Sequence, residues 1–413
     1  MLHVLRSVWA LLLGIFLLMI GNGLQGTLLG LRGEIEDFST LEISVVMSAY
    51  FVGFLGASRL APGMIQRVGH VRVFSALASL ISAVLILYPV LAEPWAWTLG
   101  RVLIGFCFCG VYITAESWLN AATTNETRGR ALSLYMVVQM GGIVSAQVLL
   151  LLSDPAGFTI FILASILVSL SFAPVLLAAD QSPPAFDSIT PMSVRRLVRA
   201  SPLGCAGMFL LGTVFAAQFG MSAVYGLRAG LSEAEITLMV SLTYLAALLF
   251  QYPIGLASDR MYRRVLILGL AGLGGAVALA AALVPGWLPL ILVAAAVVGG
   301  TSNPLYALLI AHNNDYQERE DMAGASAGLL YVNGLGAIAG PLLVGQAIER
   351  VGPGGFWAVI AVMMLLLAAY AWWRMRAAPG RAIVGDRATY TPISAAASPV
   401  ATAAAATEDR EAA

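Results

Sequence analysis

The sequence predicts an all-α membrane protein whose twelve transmembrane helices form two pseudo-symmetric bundles of six. Apolar residues make up 60% of the 413-residue chain and charged residues only 11%, whereas a soluble chain carries roughly 25% charge. Twelve apolar stretches approach or exceed the about 20 residues that a spanning helix needs. The second six stretches repeat features of the first six at an offset of roughly 193–196 residues.

Composition also excludes several classes of function. The 22 basic and 22 acidic residues cancel, so nothing favours nucleic-acid binding. All basic residues are arginine, which excludes a Schiff-base lysine or a phosphate-binding-loop lysine. Three cysteines and three scattered histidines form neither a disulfide framework nor a metal cluster. We therefore expect no cofactor, no metal and no enzymatic activity.

The first six predicted helices form an N-terminal bundle over residues 1–180. The first stretch has the charge of a signal peptide at Arg6, but it lacks a small-residue cleavage site and continues through Asn22 and Gln25 to full spanning length. We interpret it as an uncleaved helix. The predicted spans lie near 7–30, 41–62, 71–92, 95–122, 129–152 and 157–179.

The second six predicted helices form a C-terminal bundle over residues 201–376. A polar connection with three prolines and three arginines precedes them, and we predict a cytoplasmic linker at 181–200. The end of the chain, 377–413, is rich in Ala, Thr and Pro and is predicted to be a disordered cytoplasmic tail. The predicted spans lie near 201–226, 233–256, 263–284, 287–313, 322–348 and 354–375.

The arginines predict the orientation in the membrane. With the N-terminus in the cytoplasm, only Arg32, Arg228 and Arg350 lie in outer loops, and most other arginines lie at inner loops and helix ends. Cytoplasmic loops are enriched in arginine and lysine. Because the number of helices is even, we expect both termini in the cytoplasm of a bacterial cell, with the chain in the inner membrane.

The internal repeat is visible in turns, helix starts and polar residues. Ser39 and Glu42 match Ser232 and Glu235, and each pair forms the S-x-x-E pattern of a capping box at the start of a helix. Six helices per half make this a parallel repeat about an axis along the membrane normal. Further matched pairs are Gln25 with Gln218, Tyr112 with Tyr306, and Asn120 with Asn314.

Two short motifs resemble those of the major facilitator superfamily. The segment from Gly255 to Arg264 resembles its signature G-x-x-x-D-R-x-G-R-R, and the first copy carries Pro62 and Gln66 in place of the Gly and Asp. Arg101-x-x-x-Gly105 resembles a second motif, linked in that family to proton-coupled exchange. Segments 116–120, 128–130 and 305–315 are similar to its YcaD-like bacterial branch. The resemblance spans residues 7–375 and implies the fold and a transport activity.

Candidate functional residues fall into two groups. Glu116 is the one carboxylate predicted well inside a span, and it is a candidate for a proton or gating role or for a salt bridge at the inner rim. The gating or coupling candidates are Glu116, Arg101, Asp259, Arg260, Arg263 and Arg67. The substrate-binding candidates could line a cavity or form helix–helix hydrogen bonds; they are Asn22, Gln25, Gln139, Gln218, Asn303, Tyr306 and Asn333.

The expected function is secondary transport of a small neutral or amphipathic solute by alternating access. Few charges lie within the spans, which disfavours a strongly ionic substrate. The expected partners are this solute, the lipid bilayer and protons as a candidate coupling ion, and we expect a monomer. One alternative is a drug/proton efflux antiporter. Another, of a different class, is a membrane sensor or lipid-handling protein on the same fold.

Overall fold

The computed structural model describes residues 2–123, 125–177, 191–318, 320–377 and residue 390. Residues 181–190 of the predicted linker, and all of 378–413 except residue 390, lie outside this described part. The described residues form thirteen α-helices, and twelve of these are long and apolar enough to cross a membrane. They are α1 (Leu2–Ile35), α2 (Thr40–Val68), α3 (His70–Val90), α4 (Pro94–Ala121), α5 (Asn125–Leu151), α6 (Thr159–Leu177), α7 (Val194–Ala200), α8 (Pro202–Arg228), α9 (Glu233–Arg260), α10 (Arg263–Leu283), α11 (Leu288–Asn314), α12 (Met322–Val351) and α13 (Gly354–Ala377).

The prediction of an all-α protein with twelve spanning helices is confirmed. The additional helix, α7, has seven residues and lies within the predicted linker. Both predicted capping boxes are present, since Ser39 and Ser232 accept from the backbone three residues later and the glutamates bind back to the caps. Each box satisfies backbone N–H groups that a helix start leaves without partners.

Helices α2 and α9 extend further at their C-terminal ends than the sequence predicts. The predicted spans end near residues 62 and 256, but α2 continues to Val68 and α9 to Arg260. Pro62 removes one backbone donor without ending α2, which stops only where Gly69 adopts φ +86°. The segment 257–260 of α9 contains no residue that breaks a helix. The signature residues therefore lie in the last turns of helices.

The chain divides into two compact units, Met1–Ser188 and Ile189–Ala413. In the first unit, α1 packs against α5 and α6, α2 against α4, and α3 against α4 and α6. In the second unit the same pairing recurs with α8, α9, α10, α11, α12 and α13 in the places of α1 to α6. The sequence repeat thus corresponds to a repeat of helix packing.

Glycines bring the backbones of paired helices into direct contact. A Cβ atom at Gly53 or Gly105 would overlap a carbonyl oxygen of the opposite helix in the α2–α4 pair. Gly212 and Gly336 do the same between α8 and α12. Small residues of this kind allow helices in a bilayer to approach closely and gain van der Waals contact. These crossings hold the helices that carry the polar residues described next.

Candidate functional site

In the first unit, the buried polar residues begin with an arginine in α4. Arg101 is fully buried, and its guanidinium donates to Gln25 Oε1 of α1 at 3.1 Å. The same group lies over the ring of Tyr50 in α2, with 4.7 Å between Cζ and the ring centroid. A cation over an aromatic face is stabilised by the ring quadrupole. Arg101 and Gln25, predicted for different roles, are therefore direct partners.

A second contact between α1 and α4 involves Asn22 and Tyr112. Asn22 Nδ2 donates to Tyr112 Oη at 3.0 Å, and that hydroxyl in turn contacts Met19 Sδ at 3.4 Å. Asn22 and Gln25 are three residues apart on α1, so both side chains face α4. The two contacts form a polar seam between these helices.

Glu116 lies one turn beyond Tyr112 on α4 and is 1% exposed. Its Oε1 accepts from the hydroxyl of Tyr135 in α5 at 3.1 Å. This tyrosine is not among the candidate functional residues that the sequence predicts. Gln139, a predicted binding residue, lies four residues after Tyr135 and is also buried. Tyr135 and Gln139 are four residues apart and therefore lie on one face of α5, and this spacing is the sequence feature that could have indicated Tyr135.

Two amide atoms of this polar seam have no hydrogen-bond partner among the described residues. They are Asn22 Oδ1, an acceptor, and Gln25 Nε2, a donor. A buried polar atom left without a partner costs about 1–3 kcal/mol. The seam therefore leaves one acceptor and one donor unused in this structure.

The second unit has a neutral polar cluster on α8 and α11. Ser302 Oγ donates to Gln218 Oε1 at 3.1 Å, and Asn303 and Tyr306 are buried on the same segment of α11. Asn333 Nδ2 of α12 donates to the backbone oxygen of Met208 at 3.0 Å, which is a helix–helix hydrogen bond. Gln218 therefore occupies on α8 the place of Gln25 on α1, with a serine as its partner.

Ionisable residues distinguish the two units. At the offset of 194 residues, Ala295 and Ile310 stand where the first unit has Arg101 and Glu116. Both replacements are buried on α11. The two ionisable residues are therefore specific to the first unit, although the helices around them are repeated.

At the arginine-rich end of the second unit, Arg263 forms a buried ion pair with Asp315, and their side chains are 4% and 6% exposed. Arg263 also donates to Ser258 Oγ and to the backbone oxygen of Ala311, each at 3.3 Å. Asp315 was not predicted as a partner, because 52 residues separate the two. Three other gating candidates, Arg67, Asp259 and Arg260, are exposed at the ends of α2 and α9.

The corresponding end of the first unit has a histidine–serine hydrogen bond in its place. His70 stands at the position of Arg263 in the repeat, and its Nε2 lies 2.8 Å from Ser117 Oγ of α4. Ser117 Oγ donates to the backbone oxygen of Thr114, so the imidazole is the donor in the contact with Ser117. Both units thus join the start of their third helix to the end of their fourth, by different chemistry.

Similarity to known proteins supports the resemblance drawn from the motifs. The family model of the Major Facilitator Superfamily matches residues 11–232 and 203–406. An uncharacterized MFS-type transporter of Yersinia pestis is 26% identical over 381 residues, covering 87% of this chain and 95% of the relative. The MFS-type transporter YcaD of Escherichia coli is 27% identical over 359 residues, covering 84% and 90%.

Solved structures with the same fold include transporters. The nucleoside transporter NupG, as its D323A mutant, has a TM-score of 0.73 at 16% identity, covering 89% of this chain and 99% of NupG. A bacterial homolog of the human lysosomal transporter Spinster, inward-facing and occupied, has a TM-score of 0.70 at 16% identity, covering 90% and 96%. These similarities show the fold. Together with the family match over both repeats, they establish that the chain belongs to the Major Facilitator Superfamily of membrane transporters, with YcaD-like proteins among its relatives.

Proposed function

We propose that the protein moves a small neutral or amphipathic solute by alternating access and that protons are the coupling ion. The observation that carries the proposal is the buried carboxyl of Glu116 with its hydrogen bond from Tyr135. A tyrosine hydroxyl donates to a carboxylate and accepts from a carboxylic acid. The contact is therefore compatible with both protonation states, as a proton carrier requires.

Arg101 is too far along α4 to neutralise Glu116. Fifteen residues separate the two, which is about 22 Å at a rise of 1.5 Å per residue. Arg101 is instead held by Gln25 and Tyr50. The first unit therefore carries a fixed buried cation and, separately, a titratable acid, and this arrangement supports placing proton coupling in that unit.

The chemistry of the buried polar groups supports a neutral solute. The amide atoms without partners, Asn22 Oδ1 and Gln25 Nε2, offer one acceptor and one donor. In the second unit, the candidate groups on Gln218, Asn303 and Tyr306 are amides and a hydroxyl. A few placed polar groups within an apolar lining typically orient small ligands. Because NupG is a nucleoside transporter, nucleosides are a first class to test, with sugars and amphipathic compounds.

The alternative of a drug/proton antiporter was based on Arg101-x-x-x-Gly105. A Cβ at Gly105 would overlap the backbone oxygen of Tyr50, so close packing of α4 on α2 is sufficient to explain the glycine. Arg101 is then the part of the motif that packing does not explain, and one arginine does not distinguish an importer from an exporter. Bacterial inner-membrane location with both termini in the cytoplasm, and a monomeric state, remain part of the proposal.

The test combines a ligand screen with a charge-neutral variant. Thermal unfolding of the purified protein in the presence of nucleosides, sugars, amphipathic compounds and charged metabolites identifies the ligand, because a ligand that binds the native state raises its apparent stability. Transport of that ligand is then measured in proteoliposomes between about pH 5 and 8. Glu116→Gln should abolish the pH dependence and preserve solute exchange, and Glu93→Gln, at an exposed helix cap, is the matched control.

Three results would contradict the proposal. Unchanged pH dependence in a stable Glu116→Gln protein would exclude Glu116 as the proton carrier. An equal effect in Glu93→Gln would show that surface charge, and not the buried acid, controls the rate. Stabilisation by strongly ionic compounds alone would contradict the neutral substrate class.

A further inference from the structure

Tyr390 lies in the segment that the sequence predicts to be a disordered tail, but its side chain is buried and only 7% exposed. Its hydroxyl donates to Gln251 Oε1 of α9 at 2.5 Å. Its ring lies directly on the backbone of Gly255, where a Cβ atom would be 2.8 Å from the ring carbon Cδ1. A residue of the tail is thus in close contact with a membrane-spanning helix.

Tyr390 contacts α9 more than two turns before the end of the helix. Gln251 precedes the last residue of the helix, Arg260, by nine positions, which is about 13 Å. Gln251, Gly255 and Asp259 are each four residues apart and therefore lie along one face. We call this face the α9 slot. Burial, and then the charge of Asp259, raise the pKa of the Tyr390 hydroxyl above its usual range, so it remains a neutral donor at physiological pH.

The α9 slot is absent from the first copy of the repeat. At an offset of 193 residues, Ser58, Pro62 and Gln66 stand in the places of Gln251, Gly255 and Asp259. A proline ring occupies the position at which the glycine leaves room for an aromatic side chain, and serine is too short to replace the glutamine. Pro62, one of the residues by which the first copy departs from the family signature, is therefore the counterpart of Gly255. Gly255 contacts Tyr390 in the second copy.

We propose that the C-terminal tail docks in the α9 slot through Tyr390 and restrains the signature segment from Gly255 to Arg260. A side chain that fills the slot stabilises the conformation in which the slot is open, and it opposes any conformation that closes it. The tail is therefore an internal restraint on the end of α9. This inference is independent of the substrate and of proton coupling, and its test needs neither.

The test uses trypsin on the full chain in detergent micelles. Arg387 lies three residues before Tyr390 in sequence, and Arg410 lies twenty residues after it, so cleavage at Arg410 is an internal standard. In the wild-type protein, docking should slow cleavage at Arg387, since a protease acts on the open form. Tyr390→Ala should raise the ratio of cleavage at Arg387 to cleavage at Arg410 by about tenfold.

Variants of α9 separate docking in the slot from docking elsewhere. Gly255→Ala should raise the cleavage ratio as Tyr390→Ala does, because its Cβ takes the space of the ring. Gly269→Ala is the matched control, since a Cβ there meets nothing within 4 Å. Tyr390→Phe keeps the ring and loses one hydrogen bond, so its ratio should rise by a factor of about 2 or more but stay below that of Tyr390→Ala. Thermal unfolding confirms that each variant is folded.

A photocrosslinking residue at position 390 gives a second measurement. Its product should map by mass spectrometry to the peptide of α9 that contains residues 251–259. Equal cleavage ratios in the wild type and Tyr390→Ala would overturn the proposal. Persistent protection in Gly255→Ala, or a crosslink to a helix other than α9, would show that the tail does not use the slot.

Discussion

The buried ion pair between Arg263 and Asp315 gives a quantitative test of how the second unit is held together. Asp315→Ala leaves the Arg263 guanidinium buried, with Ser258 Oγ and the backbone oxygen of Ala311 among its neutral acceptors, each at 3.3 Å. Removing one partner of a buried pair costs about 3–5 kcal/mol, and the remaining acceptors favour the lower end, about 3 kcal/mol. The expected fall in the melting temperature is about 6–12 °C, if a unit of about 190 residues shifts by about 2–4 °C per kcal/mol.

The assay is thermal unfolding in detergent, followed by tryptophan fluorescence, of Asp315→Ala, Arg263→Met and the double variant Arg263→Met/Asp315→Leu. The double variant should melt close to the wild type, because replacing a buried pair by apolar residues removes two desolvation costs together. Ser193→Ala, at the cap of α7 where no side-chain bond is made, is the control. If the double variant loses the sum of the two single losses, or Asp315→Ala melts with the wild type, the reasoning is refuted.

Two further predictions concern packing and orientation. Gly105→Ala should destabilise the protein by about 1–3 kcal/mol, because the new Cβ would overlap the Tyr50 backbone. Gly56→Ala has open space around it and should stabilise the protein by up to about 1 kcal/mol. Equal melting temperatures for the two variants would contradict this interpretation of Gly105. Single cysteines are introduced at Ser188 or Ser232 in a variant without the native cysteines, and intact cells are labelled with a membrane-impermeant maleimide. Only the cysteine at position 232 should react. Labelling of position 188 alone would invert the proposed topology.

The helices were predictable from sequence because their causes are local. Apolar length determines each span, and the capping boxes at Ser39 and Ser232 mark where α2 and α9 begin. The internal repeat is also a property of the sequence, and it predicted the equivalence of Gln25 and Gln218. Helices α2 and α9 end six and four residues beyond their predicted spans, because a proline or glycine near a helix end does not always terminate it.

The partners of the functional residues were less predictable, because they depend on which helix faces which. Tyr135 binds Glu116 across a turn between α4 and α5, and Asp315 binds Arg263 from 52 residues away. Tyr390 is 139 residues from Gln251 and lies in a segment whose composition indicates disorder. Composition averages over a segment and does not register one aromatic residue that fits a slot.

The two units show how a repeated scaffold is divided between different chemical roles. Helix pairing is common to both, and so are the tight glycine crossings, because both units must satisfy the same packing requirements in a bilayer. Charge is not shared: Arg101 and Glu116 belong to the first unit, and the buried pair of Arg263 with Asp315 belongs to the second. A buried charge is costly unless it is held by partners, so each of these positions would be expected to become apolar if packing alone determined it, as Ala295 and Ile310 illustrate. We propose that these charges serve the transport cycle, with the acid of the first unit exchanging protons. In the second unit, the ion pair of Arg263 with Asp315 joins the start of α10 to the end of α11, and the proposed tail contact restrains the end of α9.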